Sequence, residues 1–266
     1  MSDALADLLA RRMRSSFYAE KPEPTKRKAS GRKAAEPAAS PVISREYVAG
    51  APIIHDCIQG TQAWLELRAG IPTASNFDKI ITPGGEASKS QEPYMFALLA
   101  ERMMGHPIVE AMSRWMDRGS QMEAEAVSFY ELQHDCETVK VGFITTEDGK
   151  IGASLDRLVG DDGLLEIKCP SEAIHVGYML QAGSAYKAYR VQVQGQLWVS
   201  QRQWSDVESY HPEMPFAITR IERDEPFIKA MAAKVRDFSE RLEAMSEELV
   251  RRGWMAETRE RAADWK

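Results

Sequence analysis

Asp156, Glu166 and Lys168 fall within SLDRLVGDDGLLEIKCP, residues 154–170. Side chains two apart on a strand share a face. Glu166 and Lys168 therefore project together, while Leu165, Ile167 and Cys169 face the core. Asp156 lies on the preceding strand of the same expected hairpin, where it can sit beside Glu166. Two adjacent carboxylates repel unless a proton or a cation neutralises them. Oxygen ligands of this kind suit Mg²⁺ or Mn²⁺, completed by water and phosphate. A metal so held lowers the pKa of a bound water and clamps a phosphoryl oxygen. The lysine would orient or deprotonate that water, or stabilise developing charge. The chemistry that such a site would perform is phosphodiester hydrolysis. A Glu-x-Lys pair on a solvated hairpin is the bland alternative, and the apolar flanks of this strand weigh against it.

The elements that must position these residues form a mixed α/β domain. Three β-like runs are expected at 137–146, 150–159 and 163–169, with turns at EDG (147–149) and GDDG (160–163). Upstream, TQAWLELRAG reads as a helix ended by Gly70, and TASNFDKIIT as a helix capped by Thr73 or Ser75. PYMFALLAERMMG has the proline-first, glycine-last pattern of a helix. Residues 113–134 carry Trp115, Met122, Ala126, Phe129 and Tyr130 at helical spacing. Downstream, a helix is expected at 186–201, strands at 205–211 and 216–222, and a long helix at 225–251.

Three regions follow from composition: residues 1–50, 51–255 and a C-terminal tail, 256–266. The first holds a short amphipathic helix at 3–16, then a basic Pro/Ala-rich linker that reads as disordered. The whole 266-residue chain carries −6, but residues 1–50 carry +4 and the rest −10. An acidic body does not suit a protein that simply coats duplex DNA; a local basic groove or a bound cation remains compatible. The three cysteines, Cys57, Cys136 and Cys169, are scattered and form no Cys-x-x-Cys pair. They point to reduced thiols and a cytoplasmic location. No histidine pair has zinc-binding spacing, and no apolar run approaches the ~18–20 residues that span a bilayer. The first residues do not resemble a secretory signal.

IGASLDRLVGDDGLLEIKCP resembles the metal-binding core of the PD-(D/E)XK nucleases, and more narrowly of the phage lambda exonuclease and YqaJ viral recombinase family. AWLELRAGIPTAS (63–75), RGSQMEAEAVSFYE (118–131), YRVQVQGQLWVS (189–200) and VESYHPEMPFAITRIERDE (207–225) are similar to further family segments, in order. The resemblance covers about residues 51–255. It implies a restriction-endonuclease-like core, with a mixed central β-sheet flanked by helices. It also implies a Mg²⁺-dependent 5′-to-3′ exonuclease on linear double-stranded DNA, encoded by a phage or prophage and acting in the bacterial cytoplasm. Such an enzyme releases 5′-mononucleotides and leaves a 3′ strand for an annealing partner, and the family suggests a homotrimer. An endonuclease or single-strand exonuclease on this fold, or a non-catalytic DNA-binding scaffold, are the alternatives.

Carried over by position, the resemblance implies that Asp156 and Glu166 ligate metal, assisted by the Ile167 carbonyl. Lys168 would position or activate water. Glu123 would be the helix glutamate near the metals. Asp148, or Glu147 beside it, would complete a second metal site. Gln192 would be the helix glutamine, with Tyr189 one turn before it. Arg68, Thr73, Ser75 and Ser154 would grip phosphates, and Met116 would wedge between strands. Two departures stand out. Arg157 occupies a position where the family often turns with glycine. Gly85 falls where a basic residue grips the 5′-phosphate, leaving Lys79 or Lys89 to substitute.

Overall fold

The computed structural model describes residues 50–108, 114–181 and 183–256, without the side chains of 114–121. The expected N-terminal helix, the basic linker and residues 257–266 lie outside the described residues. The chain opens with β1 (Ile53–His55), then α1 (Gln62–Arg68), where the Thr61 hydroxyl accepts from the Trp64 N–H. A six-residue 3₁₀ helix, Ala74–Lys79, follows. Next come α2 (Gln91–Met104), which ends at Gly105 with φ 73°, and α3 (Arg114–His134). Five strands follow: β2 (Thr138–Val139), β3 (Phe143–Thr145), β4 (Gly152–Ala153), β5 (Arg157–Val159) and β6 (Gly163–Lys168). Then come α4 (Glu172–Leu180), α5 (Ser184–Ser200), β7 (Trp204–Ser209), β8 (Ala217–Glu222) and α6 (Glu225–Arg251).

The strands form a five-stranded sheet in the order β2-β5-β6-β7-β8 and a three-stranded sheet in the order β1-β3-β4. In the larger sheet β6 and β7 are parallel and every other pair is antiparallel, so the sheet is mixed. A parallel neighbour needs a crossover, and α4 and α5 supply it. Both faces of the sheet are covered. On one, Leu164 and Val207 join a core with α5 and with Phe227, Ile228, Met231, Val235 and Phe238 of α6. On the other, Leu165 and Ile167 pack against Met122, Ala126 and Tyr130 of α3. Alternation along β6 sends successive side chains into two different cores.

The expected strand at 137–146 is in fact β2 and β3, which belong to different sheets, and that at 150–159 is β4 and β5, also in different sheets. The chain changes sheet twice, and periodicity does not register such a change. At the first change a Cβ on Gly142 would lie 1.9 Å from the Cys57 carbonyl oxygen, so only glycine fits. The second change spans Ser154–Asp156. The expected α-helix after Pro72 is the 3₁₀ helix, and α4 was not anticipated.

Candidate active site

The β5–β6 hairpin pairs Arg157 with Leu165, which brings Asp156, just before β5, opposite Glu166. Asp156 Oδ2 accepts the Ile167 N–H at 2.7 Å. Glu166 is 4% exposed, so this charge lies in the interior and not on a solvated hairpin. Its Oε1 accepts from Lys168 Nζ at 2.5 Å and from Gln192 Nε2 at 2.6 Å. Its Oε2 accepts from Gln196 Nε2 at 2.6 Å. Lys168 Nζ also lies 3.5 Å from Gln192 Oε1 and 4.6 Å from the centre of the Tyr189 ring. Tyr189, Gln192 and Gln196 lie three and four residues apart, so one stripe of α5 faces the acids and the lysine.

Burial, then the Glu166 carboxylate, pushes the Asp156 carboxyl up to about 8, against the opposing pull of Lys168 and the Ile167 N–H. Burial disfavours the Lys168 ammonium, but Glu166 and Asp156 outweigh it and hold the lysine above its ordinary value. The two carboxylates are thus kept together at an electrostatic cost that a cation would relieve. Their oxygens suit a hard divalent ion. Among the described residues, no three His, Cys, Asp or Glu side chains cluster closely enough to hold an ion by themselves. The site would therefore offer two carboxylates, with the Ile167 carbonyl, water and substrate phosphate completing the shell. That composition fits Mg²⁺ or Mn²⁺.

Glu123 stands on the margin of this cluster. Arg157 Nη1 binds its Oε1 at 2.9 Å, and Lys140 Nζ lies 3.9 Å away. Its charge reaches Asp156 and adds to the raising of that carboxyl. Among the described residues, no hydrogen bond or ion pair joins Asp148 to the centre. It sits in the β3–β4 turn, where Oδ1 accepts the Thr146 hydroxyl at 2.6 Å and the Lys150 N–H at 3.1 Å. A small residue at the third position of a turn is the reason: its carboxylate caps its own loop. Glu147 and Asp148 instead line a 240 Å³ cavity with Trp198, Arg236 and Ser239.

The residues expected to grip phosphate do converge. Ser154 Oγ accepts from Arg68 Nη1 at 2.6 Å and from Trp64 Nε1 at 3.1 Å, and the Arg68 guanidinium lies 4.3 Å from the Trp64 ring centre. Thr73 pairs with Gly152 of β4, which brings the 3₁₀ helix beside Ser154. Thr73 Oγ1 and Ser75 Oγ are 3.3 Å apart. The Thr73 N–H is already taken by Tyr94 Oη at 3.3 Å, and a six-residue 3₁₀ helix has little aligned dipole. Side chains, and not a helix terminus, are left to bind an anion there. Lys79 Nζ sits 5.2 Å from the centre of the same Tyr94 ring. The side chain of Met116 lies outside the described residues.

Sequence reading missed Trp64 and Gln196. The signal for Gln196 was its spacing: four residues after Gln192, it shares that residue's face. The close approach of α5 has its own cause in Gly195, where a Cβ would lie 2.6 Å from the Phe77 ring on the 3₁₀ helix.

A mixed sheet with helices on both faces, carrying its acids and lysine on one hairpin, is the architecture of the PD-(D/E)XK class. Within that class the YqaJ-like viral recombinase domain matches residues 63–203, and the chain belongs to that family. An alkaline exonuclease from Laribacter hongkongensis, LHK-Exo, is 34% identical over 73% of this chain and 98% of its own, with a TM-score of 0.65. Its complex with dAMP matches to the same extent. A phage-related exonuclease from Haemophilus somnus 129PT shares the fold at 15% identity and a TM-score of 0.55, over 67% of this chain and 96% of its own. A comparison with curated proteins gives no match.

Proposed function

We propose that the protein is a divalent-metal-dependent exonuclease. On this reading it digests linear double-stranded DNA from 5′ ends and releases 5′-mononucleotides. The 3′ strands left behind serve phage-type recombination by annealing. The observation that carries the reading is the convergence of Asp156, Glu166 and Lys168 on one buried patch. The 34% identical alkaline exonuclease supports it. Nothing in the packing requires two acids and a lysine to be buried together, which argues against a scaffold that merely keeps the fold.

Asp156 and Glu166, with the Ile167 carbonyl, would hold Mg²⁺, or Mn²⁺ in its place; when bound, the ion supplies a water of lowered pKa and positive charge beside the phosphate. The chain does the rest. The Ile167 N–H fixes one Asp156 oxygen and leaves the other for a ligand. Lys168, anchored on Glu166 and Gln192, presents its remaining proton to the attacking water or to charge that builds on the phosphate. Arg68 and the Ser154 hydroxyl hold the scissile phosphate, with the planar guanidinium forking onto its oxygens. Ser75 and Thr73, with Lys79 nearby, receive the 5′-terminal phosphate. Glu123 tunes the site through Arg157 and Asp156. A single-strand annealing protein and two further copies of the chain are the partners in this reading, with action in the bacterial cytoplasm.

The test is digestion of a linear duplex labelled at each end in turn, with Mg²⁺, beside a closed circle. Release of 5′-labelled mononucleotides first, with the circle uncut, is the expected result. Cleavage of the circle would mean an endonuclease, and no release under Mg²⁺ or Mn²⁺ would mean a non-catalytic binder.

A further inference from the structure

Gln196 is 1% exposed and lies among apolar neighbours on α5, including Leu197 and Val193. Burying a primary amide is costly unless its hydrogen bonds are made. Its nitrogen makes two, to Glu166 Oε2 at 2.6 Å and to the Ser154 carbonyl at 3.0 Å. Both partners are acceptors only, so the nitrogen must be the atom that faces them. The amide oxygen is consequently turned away, buried and without a partner among the described residues. A side chain kept in the core with half its bonding capacity unmet is placed for its other half. A leucine or methionine would fill the same space without the orphaned acceptor.

We propose that Gln196 is a positioning residue that sets the direction of the Glu166 carboxylate and ties it to Ser154, an inference that rests on the nuclease reading. Lys168 and Gln192 both act on Oε1 and leave rotation about the carboxylate axis to be fixed from the other oxygen. Gln196 supplies that restraint. Through the Ser154 carbonyl the same amide reaches the residue whose hydroxyl accepts from Arg68 and Trp64. The metal carboxylate and the phosphate grip thus share one framework, and α5 is its rigid support. Gln194, two residues away, serves a different end: it donates to the Glu222 carbonyl and accepts from the Asp224 N–H.

The test compares the full-length wild-type chain with Gln196→Met, by titration calorimetry with Mn²⁺ alone and by steady-state digestion of a linear duplex. Loss of a group that orients a metal ligand typically weakens metal binding by about 10–100-fold. A fall of that size in Mn²⁺ affinity, with kcat reduced and KM for DNA unchanged, is the expected result. A lower melting temperature with wild-type Mn²⁺ affinity and kcat overturns the proposal, because the role is then structural only. A rise in KM alone also overturns it. If Gln196→Met does not fold, Gln196→Asn, an amide too short to reach both partners, is read in the same way. A wild-type chain that binds Mn²⁺ but digests no DNA defeats the nuclease reading, while the ratio of Mn²⁺ affinities still decides the role of Gln196. A wild-type chain that binds no Mn²⁺ overturns both.

Discussion

Arg157 on β5 and Glu123 on α3 are joined by a 2.9 Å ion pair, and the same guanidinium nitrogen donates to the Asp156 carbonyl at 2.6 Å. The resemblance sets a turn glycine at this position. Here Arg157 begins a strand and is not among the residues with positive φ, so glycine is not needed. The arginine instead fastens the hairpin that carries Asp156 to the helix packed beneath it. The pair is mostly enclosed, with side chains 11% and 25% exposed. Breaking it from one side leaves a charge poorly solvated. Arg157→Ala is expected to cost about 1–3 kcal/mol, between the exposed and the fully buried cases. A double-mutant cycle with Glu123→Gln in urea should give a coupling of about 1 kcal/mol. Additive losses would show that the pair contributes nothing.

Gly195→Ala tests the approach of α5 to the 3₁₀ helix. The added methyl would stand 2.6 Å and 2.8 Å from two Phe77 ring carbons and 3.2 Å from the Ala74 Cβ. Phe77 is fully buried and cannot swing away without disturbing Trp198 beside it. Overpacking of this kind costs about 1–3 kcal/mol. Denaturant midpoints of the two proteins measure it. A midpoint equal to wild type would show that the helices have room.

The three alternating glutamines of α5 show what could be read from sequence. Gln192, Gln194 and Gln196 are identical in type, and only the 3.6-residue period separates them. Gln192 and Gln196 share a face, while Gln194 points to the β8–α6 link. Period also made β6 legible: Glu166 and Lys168 point one way, Leu165 and Ile167 the other. The hairpin turns and α6, expected at 225–251, follow from local turn chemistry and an apolar stripe. Sheet changes at Gly142 and Ser154–Asp156 depend on distant partners, Cys57 among them; the isolated Gly142 marks a close approach but does not say which segment lies opposite. Asp148 has the residue type of a ligand, and the sequence does not show that its Oδ1 bonds within its own turn.

His175 on α4 is expected to make stability depend on pH. Its Nε2 lies 2.9 Å from the Pro215 carbonyl, which can only accept, so the proton sits on Nε2. Nδ1 then accepts from the Ser209 hydroxyl at 2.7 Å, and the neutral ring is satisfied on both sides. Burial, aided by neighbouring His211, lowers its pKa, although the Pro215 bond opposes this. The unfolded chain therefore binds a proton at higher pH than the native chain. The stability contribution is present above the ordinary histidine value, near 6.5, and is lost as pH falls through the folded pKa. The slope is at most about 1.4 kcal/mol per pH unit. Urea unfolding from pH 7.5 down to 5 should show the loss. His175→Gln, which cannot take up that proton, should flatten it. An unchanged slope in the variant would assign the effect to other groups.

Lys168→Ala and Glu166→Ala test the centre from its two sides. Removing Lys168 takes away the donor that the nuclease reading assigns to the attacking water and leaves Glu166 facing Asp156 without its closest positive charge. Removing Glu166 leaves Lys168, Gln192 and Gln196 without their shared acceptor. Groups that act as a unit fail as a unit. Each variant is expected to lose about 100- to 1,000-fold or more in duplex digestion. Both should keep wild-type circular dichroism, because the surrounding cores come from other residues. Chelation of the wild-type enzyme should have the same effect and, unlike either substitution, be reversed by added Mg²⁺. Full digestion by either folded variant would remove these residues from the mechanism. Activity that survives the chelator would remove the metal and leave the two carboxylates to be neutralised by Lys168 and protons alone.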